Sequence, residues 1–264
     1  MKLATSAKSN LFISSNEEEE SWVLPEIDGI LEKRRGGSTS TFGNHAVILM
    51  SGGMDSSILA KLLLDTTKFI LHPLFIKRSS RAERWEERGY DFFYEFYSKG
   101  YPNSFNHGKK IINEVPPLEL KKYRNKEQLK KYGHPMRNAV LQSLGIQYAA
   151  NLSSELDIDI RTVFTATVPD DSFPHSSLLA LRTTTLLTCI ESGDWRWNII
   201  SPFVDKSVLG RTFDKSELIK YAIKHNVPLE HTRTCIQKDE KPCLKCPECL
   251  SRIKAFKIAN TPYV

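Results

Sequence analysis

The sequence predicts an α/β protein built on a doubly wound, mostly parallel sheet, and three observations lead there. Apolar runs of strand length, Ala46–Met50, Phe69–Phe75 and Arg161–Val168, alternate with longer stretches of helical length. The first run passes straight into Ser51-Gly52-Gly53-Met54-Asp55-Ser56 and then into Ser57-Ile58-Leu59-Ala60-Lys61-Leu62-Leu63-Leu64, the order strand, tight loop, helix. At 264 residues the chain suffices for one such domain with a small appendage and a full hydrophobic core.

Residues 1–45 read as an N-terminal extension. They hold the acidic run Glu17-Glu18-Glu19-Glu20 and the linker-like Gly36-Gly37-Ser38-Thr39-Ser40-Thr41. Between these lies a less polar arm, Trp22, Val23, Leu24, Ile27, Ile30 and Leu31, able to pack on the domain or on a protein partner. The main domain is expected over 46–230 and a cysteine-rich segment over 231–264.

The loop after the first strand carries the chemistry. Two adjacent glycines let the backbone turn sharply and approach a ligand. The hydroxyls of Ser51, Ser56 and Ser57, with the free N–H groups at the helix start around Met54, form a cradle for an anion. Asp55 can hold Mg²⁺, a hard cation that takes oxygen ligands. The loop lacks the Gly-Lys-Ser/Thr ending of a Walker A motif. The plain alternative is a strand-to-helix turn capped by Ser56.

Further along, the main chain at the end of Phe69–Phe75, at Phe75 and Ile76, faces the ligand crevice of a parallel sheet and suits an adenine. Residues 81–99 read as an amphipathic helix whose aromatics (Tyr90, Phe92, Phe93, Phe96, Tyr97) line the core more readily than they stack on bases. The basic run Lys121-Lys122-Tyr123-Arg124-Asn125-Lys126 reads as a solvated face. Gly133 to Asn138 opens a helix to about Leu152, with Arg137 and Asn138 aimed at the crevice, where a guanidinium can grip phosphate or carboxylate. After the strand at 161–168, Asp170, Asp171 and His175 are substrate-contact candidates, and Leu178–Glu191 is a helix with Cys189 in the core. Asn198–Phe203 is a further strand. Asp214 caps a helix in which Lys215 stands in the first turn, a place that favours an anionic partner.

The second signal is Cys235-x₇-Cys243-x₂-Cys246-x₂-Cys249. Four thiolates so spaced close around one tetrahedral Zn²⁺, leaving no position for water, so the metal is expected to be structural. An iron–sulfur cluster is the competing occupant. Four of five cysteines in one segment, no signal peptide and no window of about 18 apolar residues point to a reducing cytoplasm and no membrane span. The net charge of +6 and pI of about 9.0 permit contact with nucleotides or RNA without singling out either.

The Ser51–Ser56 loop resembles the pyrophosphate loop, Ser-Gly-Gly-x-Asp-Ser, of ATP pyrophosphatases. Taken with the Cys₄ block, the chain from residue 46 to about 257 resembles the 7-cyano-7-deazaguanine synthase family, QueC, of the PP-loop superfamily. His134-Pro135-Met136-Arg137-Asn138 is similar to its Pro-Gly-Arg-Asn helix start, Arg81-Ala82-Glu83 to its Arg-Ala-Glu, and Phe213-Asp214-Lys215-Ser216-Glu217 to its Asp-Lys-x-Glu opening. Thr234-Cys235 and Cys243-Leu244-Lys245-Cys246-Pro247-Glu248-Cys249-Leu250-Ser251-Arg252 resemble its ending.

The resemblance implies an adenine-nucleotide α-hydrolase-like fold and a zinc-containing ligase that uses ATP, Mg²⁺ and ammonia to turn a 7-deazaguanine carboxylate into amide and then nitrile. Asp55, Ser56, Arg137 and Lys215 would be its catalytic set. Ser51–Ser57, Phe75, Arg137 and Asn138 would bind the nucleotide. This sequence departs from the family at Ile76-Lys77-Arg78-Ser79-Ser80, at Thr165-Ala166, at Phe173-Pro174-His175-Ser176 and between Pro202 and Lys215, where Asp205-Lys206-Ser207 repeats the motif. These positions surround the substrate pocket. A diverged member passing a related carboxylate to another amine, possibly on a protein in anti-phage defence, is therefore a second reading. A non-catalytic nucleotide- or RNA-binding subunit and a tRNA thiolase are the others, the thiolase disfavoured because Cys189 is the one cysteine outside the cluster. A homodimer is compatible with all of them.

Overall fold

Five strands, β1 (His45–Leu49), β2 (Ile70–Lys77), β3 (Lys109–Ile112), β4 (Ile160–Phe164) and β5 (Asn198–Ile200), pair in the order β3-β2-β1-β4-β5, every pairing parallel. The computed structural model describes residues 17–114, 116–121, 133–171 and 173–264. The helices are α1 (Glu17–Arg35), α2 (Met54–Thr66), α3 (Glu83–Gly100), α4 (Leu118–Lys121), α5 (Arg137–Leu156), α6 (Leu178–Ser192), α7 (Lys206–Leu209), α8 (Lys215–Lys224) and α9 (Pro247–Ala259).

Side chains of β1 alternate between two cores, which is why its run is apolar throughout. Ala46 and Ile48 pack with α2, α3, α8 and α9, whereas Val47 packs with Leu31, Ala149 and Leu179 of α1, α5 and α6. The doubly wound class is thus realised. The strand order reverses between β1 and β4, so the loops after these two strands open onto one crevice, the place where such sheets bind ligands.

Several boundaries differ from the expectation. The strand expected over 161–168 ends at Phe164, and the Thr167 carbonyl turns instead to the Ser201 hydroxyl, 2.6 Å away. The strand expected over 198–203 ends at Ile200, ahead of Pro202, which has no N–H to give a ladder. β3 escaped detection because it is a short edge strand starting with two lysines. Lys110 pairs with Glu87 and Asp91, a charged edge of the kind that discourages sheet-to-sheet association. In α3 the residues Tyr90, Phe93 and Tyr97 are buried, so the aromatic stripe is core.

Within the stretch read as an extension, α1 is part of the second core: Leu31 is fully buried and Ile27 nearly so. Arg182 of α6 binds Asp28 at 2.8 Å, and Arg35 donates to the carbonyls of Trp195 and Trp197 at 2.6 and 2.5 Å. Residues 1–16 and the basic run after Lys121 lie outside the described residues. Among the described residues no helix is long and apolar enough to cross a membrane.

Candidate active site and metal centre

The loop Ser51–Ser57 is held largely by its own hydroxyls. Ser56 Oγ accepts the Ser51 N–H at 3.2 Å and lies 3.3 Å from Ser51 Oγ, while Ser57 donates to the Gly53 carbonyl at 2.8 Å. α2 begins at Met54 with Gly53 as its cap, and no side chain covers the first-turn amides. The expected cap at Ser56 is not what forms, because the helix starts two residues earlier. Uncapped amides at the positive end of a helix favour an anion.

Gly52 has φ +68, and a Cβ there would lie 2.0 Å from the Glu86 carbonyl and 2.6 Å from the Tyr90 amide. Gly89 returns the contact, since its own Cβ would meet the Gly52 carbonyl at 2.6 Å. The backbones of loop and α3 touch, which only two glycines permit.

Asp55, on the first turn of α2, has a buried Oδ1 with no hydrogen-bond partner among the described residues. Burial pushes its carboxyl up to about 6; Asp171 and Asp170 add to the rise, and Lys215 and Arg252 oppose it. The buried carboxylate oxygen, in the same electrostatic neighbourhood as Asp170 and Asp171, is the oxygen ligand a hard cation takes, while the uncapped amides suit the anion such a cation would accompany. Lys215, the first residue of α8, sends Nζ to Asp171 Oδ1 at 3.0 Å and to Ser251 Oγ at 3.4 Å, and its N–H donates to Asp170 at 3.1 Å. Its helix is capped by Asp214, as the sequence indicated, and the cap is a full capping box, Asp214 accepting from the Glu217 N–H and Glu217 from that of Asp214. The partner foreseen for Lys215 thus includes the protein's own Asp171. Burial alone would lower the Lys215 ammonium, but Asp55 and Asp171 outweigh it and hold it above its ordinary value. A cavity of about 490 Å³ opens beside this group, lined by Asp170, Asp214, Ser251 and Lys254.

Arg137 begins α5, whose cap is Met136 at φ +58 rather than Asn138. Asn138 instead donates to the His175 carbonyl at 3.1 Å and fixes the 173–176 turn against the helix start. Burial lowers the Arg137 guanidinium, nearby Arg78 adds to this, and Asp171, Glu248 and Glu86 counter it. Arg78 itself pairs with Glu86 at 2.8 Å. Arg137, Lys215 and Asp55 therefore share one electrostatic neighbourhood with Asp171 at its centre.

Phe75 sits at the carboxyl end of β2, its ring buried against Tyr90. Leu74 gives its carbonyl to the Met50 N–H, and Lys77 gives its own to Asn113 beyond β3. Neighbouring residues of a strand point their main-chain groups to opposite sides. Phe75 therefore faces β3, and Ile76 faces the crevice past the end of β1. The free main-chain edge belongs to Ile76, the second of the two positions singled out.

The four cysteines converge, their sulfur atoms all within 4.8 Å of one another. A tetrahedral ion with S–metal bonds of about 2.3 Å needs sulfurs roughly 3.8 Å apart, so the set fits. Cys246 caps α9, Pro247 opens it and Cys249 lies one turn in. The Cys243 N–H donates to Cys235 Sγ at 3.4 Å and the Cys246 N–H to Cys243 Sγ at 3.3 Å, the kind of amide support that stabilises thiolates. The Lys245 amide, with smaller help from Cys246, draws the Cys243 thiol down to about 6.

Two buried arginines went unassigned or underrated in the sequence. Arg252 donates to Thr232, Thr234, Leu229 and Val264, binding the segment rather than only balancing its charge. Arg233 donates to the carbonyls of Cys235, Gln237, Asp239 and Glu240. Its one sequence signal was its place two residues before the first cysteine.

A parallel 3-2-1-4-5 sheet whose first strand delivers Ser-Gly-Gly-x-Asp-Ser to an uncapped helix defines an ATP-dependent enzyme of the PP-loop class. A family model described as "Queuosine biosynthesis protein QueC" matches residues 103–260, and the chain belongs to that family. The 7-cyano-7-deazaguanine synthase of Methanosphaerula palustris is 27% identical over 221 residues, covering 80% of this chain and 93% of the relative. That of Acetivibrio thermocellus is 26% identical over 218 residues, covering 81% and 94%. Among solved structures, the U34-tRNA thiolase NcsA from Methanococcus maripaludis with its [4Fe-4S] cluster aligns at 14% identity over 89% of this chain and 74% of that one. Its TM-score is 0.41, a superposition too loose to bear on the site.

Proposed function

We propose that this protein is a 7-cyano-7-deazaguanine synthase-like ligase. It adenylates a 7-deazaguanine carboxylate with ATP and converts it, with ammonia, to the amide and then the nitrile. The observation that carries the reading is the unpartnered Asp55 Oδ1 beside the uncapped start of α2, with Lys215 and Arg137 around Asp171.

The triphosphate lies across Ser51–Ser57, its pyrophosphate on the α2 amides, and the adenine edge meets the main chain of Ile76. Asp55 holds Mg²⁺, which when bound neutralises the pyrophosphate that leaves. Arg137 and Lys215 face the carboxylate and the α-phosphate. The carboxylate oxygen attacks the α-phosphorus and pyrophosphate departs. Ammonia then attacks the acyl carbon, AMP leaves and a proton is lost. The amide oxygen repeats the attack on a second ATP and pyrophosphate departs; loss of AMP, which carries away the amide oxygen, and of both protons on the nitrogen leaves the nitrile. The protein contributes positioning and charge neutralisation. The four cysteines hold Zn²⁺, which when bound closes the 235–249 segment.

AMP release tests the reading. With ATP, Mg²⁺, ammonia and a 7-deazaguanine carboxylate, AMP forms only when the carboxylate is present, and Asp55→Ala abolishes it. AMP formation that ignores the carboxylate, or none with any carboxylate tried, refutes the proposal.

A further inference from the structure

Three backbone segments meet at Gly52, and one of them comes from the cysteine-rich end of the chain. The Arg233 N–H donates to the Gly52 carbonyl at 2.8 Å. The Arg233 carbonyl runs past Gly53, 3.3 Å from where a Cβ would stand. α3 closes the other side through Glu86 and Tyr90.

This hydrogen bond sets the orientation of one peptide plane. In a trans peptide the C=O and the following N–H point in opposite directions. With the Gly52 carbonyl tied to Arg233, the Gly53 N–H is aimed away from the cysteine segment, toward Ser51 Oγ at 3.3 Å and the mouth of the cradle. If the plane flipped, a carbonyl would face the anion instead of a donor. Two glycines in sequence make such a flip sterically easy, so an outside constraint is needed to prevent it.

The side chain of the same residue holds the metal loop. The guanidinium donates to Cys235 O at 2.8 Å and to Glu240 O, Gln237 O and Asp239 O at 2.7 Å each. These carbonyls span the stretch between the first and second cysteines. Among the described residues no carboxylate pairs with this 8% exposed arginine, so its donors are committed to the loop. The loop is braced from α3 as well, by Trp85 Nε1 to the Lys238 carbonyl at 2.8 Å and by Arg88 to Glu240 at 2.7 Å.

We propose that Arg233 is a positioning residue that couples the cysteine cluster to the pyrophosphate loop: the closed metal loop fixes the guanidinium, the guanidinium fixes its own main chain, and that main chain holds the Gly52–Gly53 peptide with its N–H toward the nucleotide. The inference rests on the ATP reading above and adds to it that metal loading sets nucleotide affinity.

The test uses the full-length zinc-loaded protein and a non-hydrolysable ATP analogue with Mg²⁺. Arg233→Ala keeps all four cysteines and is expected to retain its zinc, yet to bind the analogue about tenfold or more weakly, with Arg233→Lys in between. The Michaelis constant for ATP rises while that for the carboxylate does not. A residue that only stabilised the fold would leave affinity unchanged well below the melting temperature. Wild-type analogue affinity in a zinc-loaded Arg233→Ala protein overturns the proposal.

Should that variant lose zinc or fail to fold, hydrogen exchange on wild-type protein decides. Chelating zinc is expected to speed exchange of the Gly53–Ser56 amides ahead of those in β1, and equal protection with and without zinc overturns the coupling. A wild-type protein that binds no ATP analogue refutes the nucleotide reading instead, while the exchange measurement still judges the coupling.

Discussion

Lys215 Nζ lies 3.0 Å from Asp171 Oδ1, so the lysine at the start of α8 is tied to a carboxylate from the loop after β4. The pair joins two elements across the crevice and sets the charge that Asp55 feels. Asp171 pushes the Asp55 carboxyl up and Lys215 pulls it down. Under the proposed function, an arriving triphosphate would compete with Asp171 for Lys215.

Replacing this lysine tests that arrangement. Lys215→Met is expected to cut substrate-dependent AMP formation about 10²-fold, the scale for removing one charged group from a transition state. It also removes the main influence holding Asp55 down, so the acid limb of the pH–rate profile moves to higher pH. An unshifted acid limb means that Lys215 does not act on Asp55.

Asp55 makes a prediction about stability. Its folded-state value of about 6 is above the ordinary 3.8, so the folded protein binds this proton more tightly than the unfolded chain does. The penalty for ionising it is absent below pH 3.8 and complete above about pH 6, so this group makes the ligand-free protein less stable as pH rises through that window. Asp55→Asn is expected to stabilise the protein at pH 8 by about 1–3 kcal/mol while abolishing Mg²⁺-dependent ATP binding. Urea melts at pH 8 and pH 3.5 check this, with the gain largely gone at the lower pH.

Gly52→Ala should fail for steric reasons alone. The new methyl meets the Glu86 carbonyl, and the positive φ is costly for any residue with a Cβ, together about 3–5 kcal/mol. Circular dichroism melts and nucleotide titration read the two consequences, and a normally stable variant that binds ATP argues against the close approach of α3 to the loop.

The cysteine cluster predicts metal-dependent stability. Cys246→Ser removes one of the four converging thiols at the start of α9. It should lose the metal in elemental analysis and melt roughly 6–12 °C lower, as for a loss of about 3 kcal/mol in a protein of this size. Zinc in the wild-type protein supports the assignment, and iron with sulfide would replace it with a cluster.

The β1–loop–α2 unit and the four cysteines were legible in the sequence because each is written locally, as a run of adjacent residues or a fixed spacing. The helix cap at Asp214 was legible for the same reason. β3 was not, because an exposed edge of four residues carries no periodicity. Arg233 and Asp171 were only partly legible. Their importance comes from contacts across the crevice, with Gly52 181 residues before Arg233 and Lys215 44 residues after Asp171, and spacing within a segment carries no information about them. Which of Phe75 and Ile76 turns its main chain to the crevice is of the same kind, since strand ends follow from pairing and not from composition.

The most direct test of the central claim is one incubation of the zinc-loaded protein with ATP, Mg²⁺, ammonia and 7-carboxy-7-deazaguanine, read by mass spectrometry, with Asp55→Ala in parallel. The account predicts the nitrile, formed with two AMP per molecule and missing from the variant. Accumulation of the amide or the adenylate as the final species contradicts the nitrile product and moves attention to another amine acceptor. A reaction that yields no AMP contradicts the catalytic account altogether.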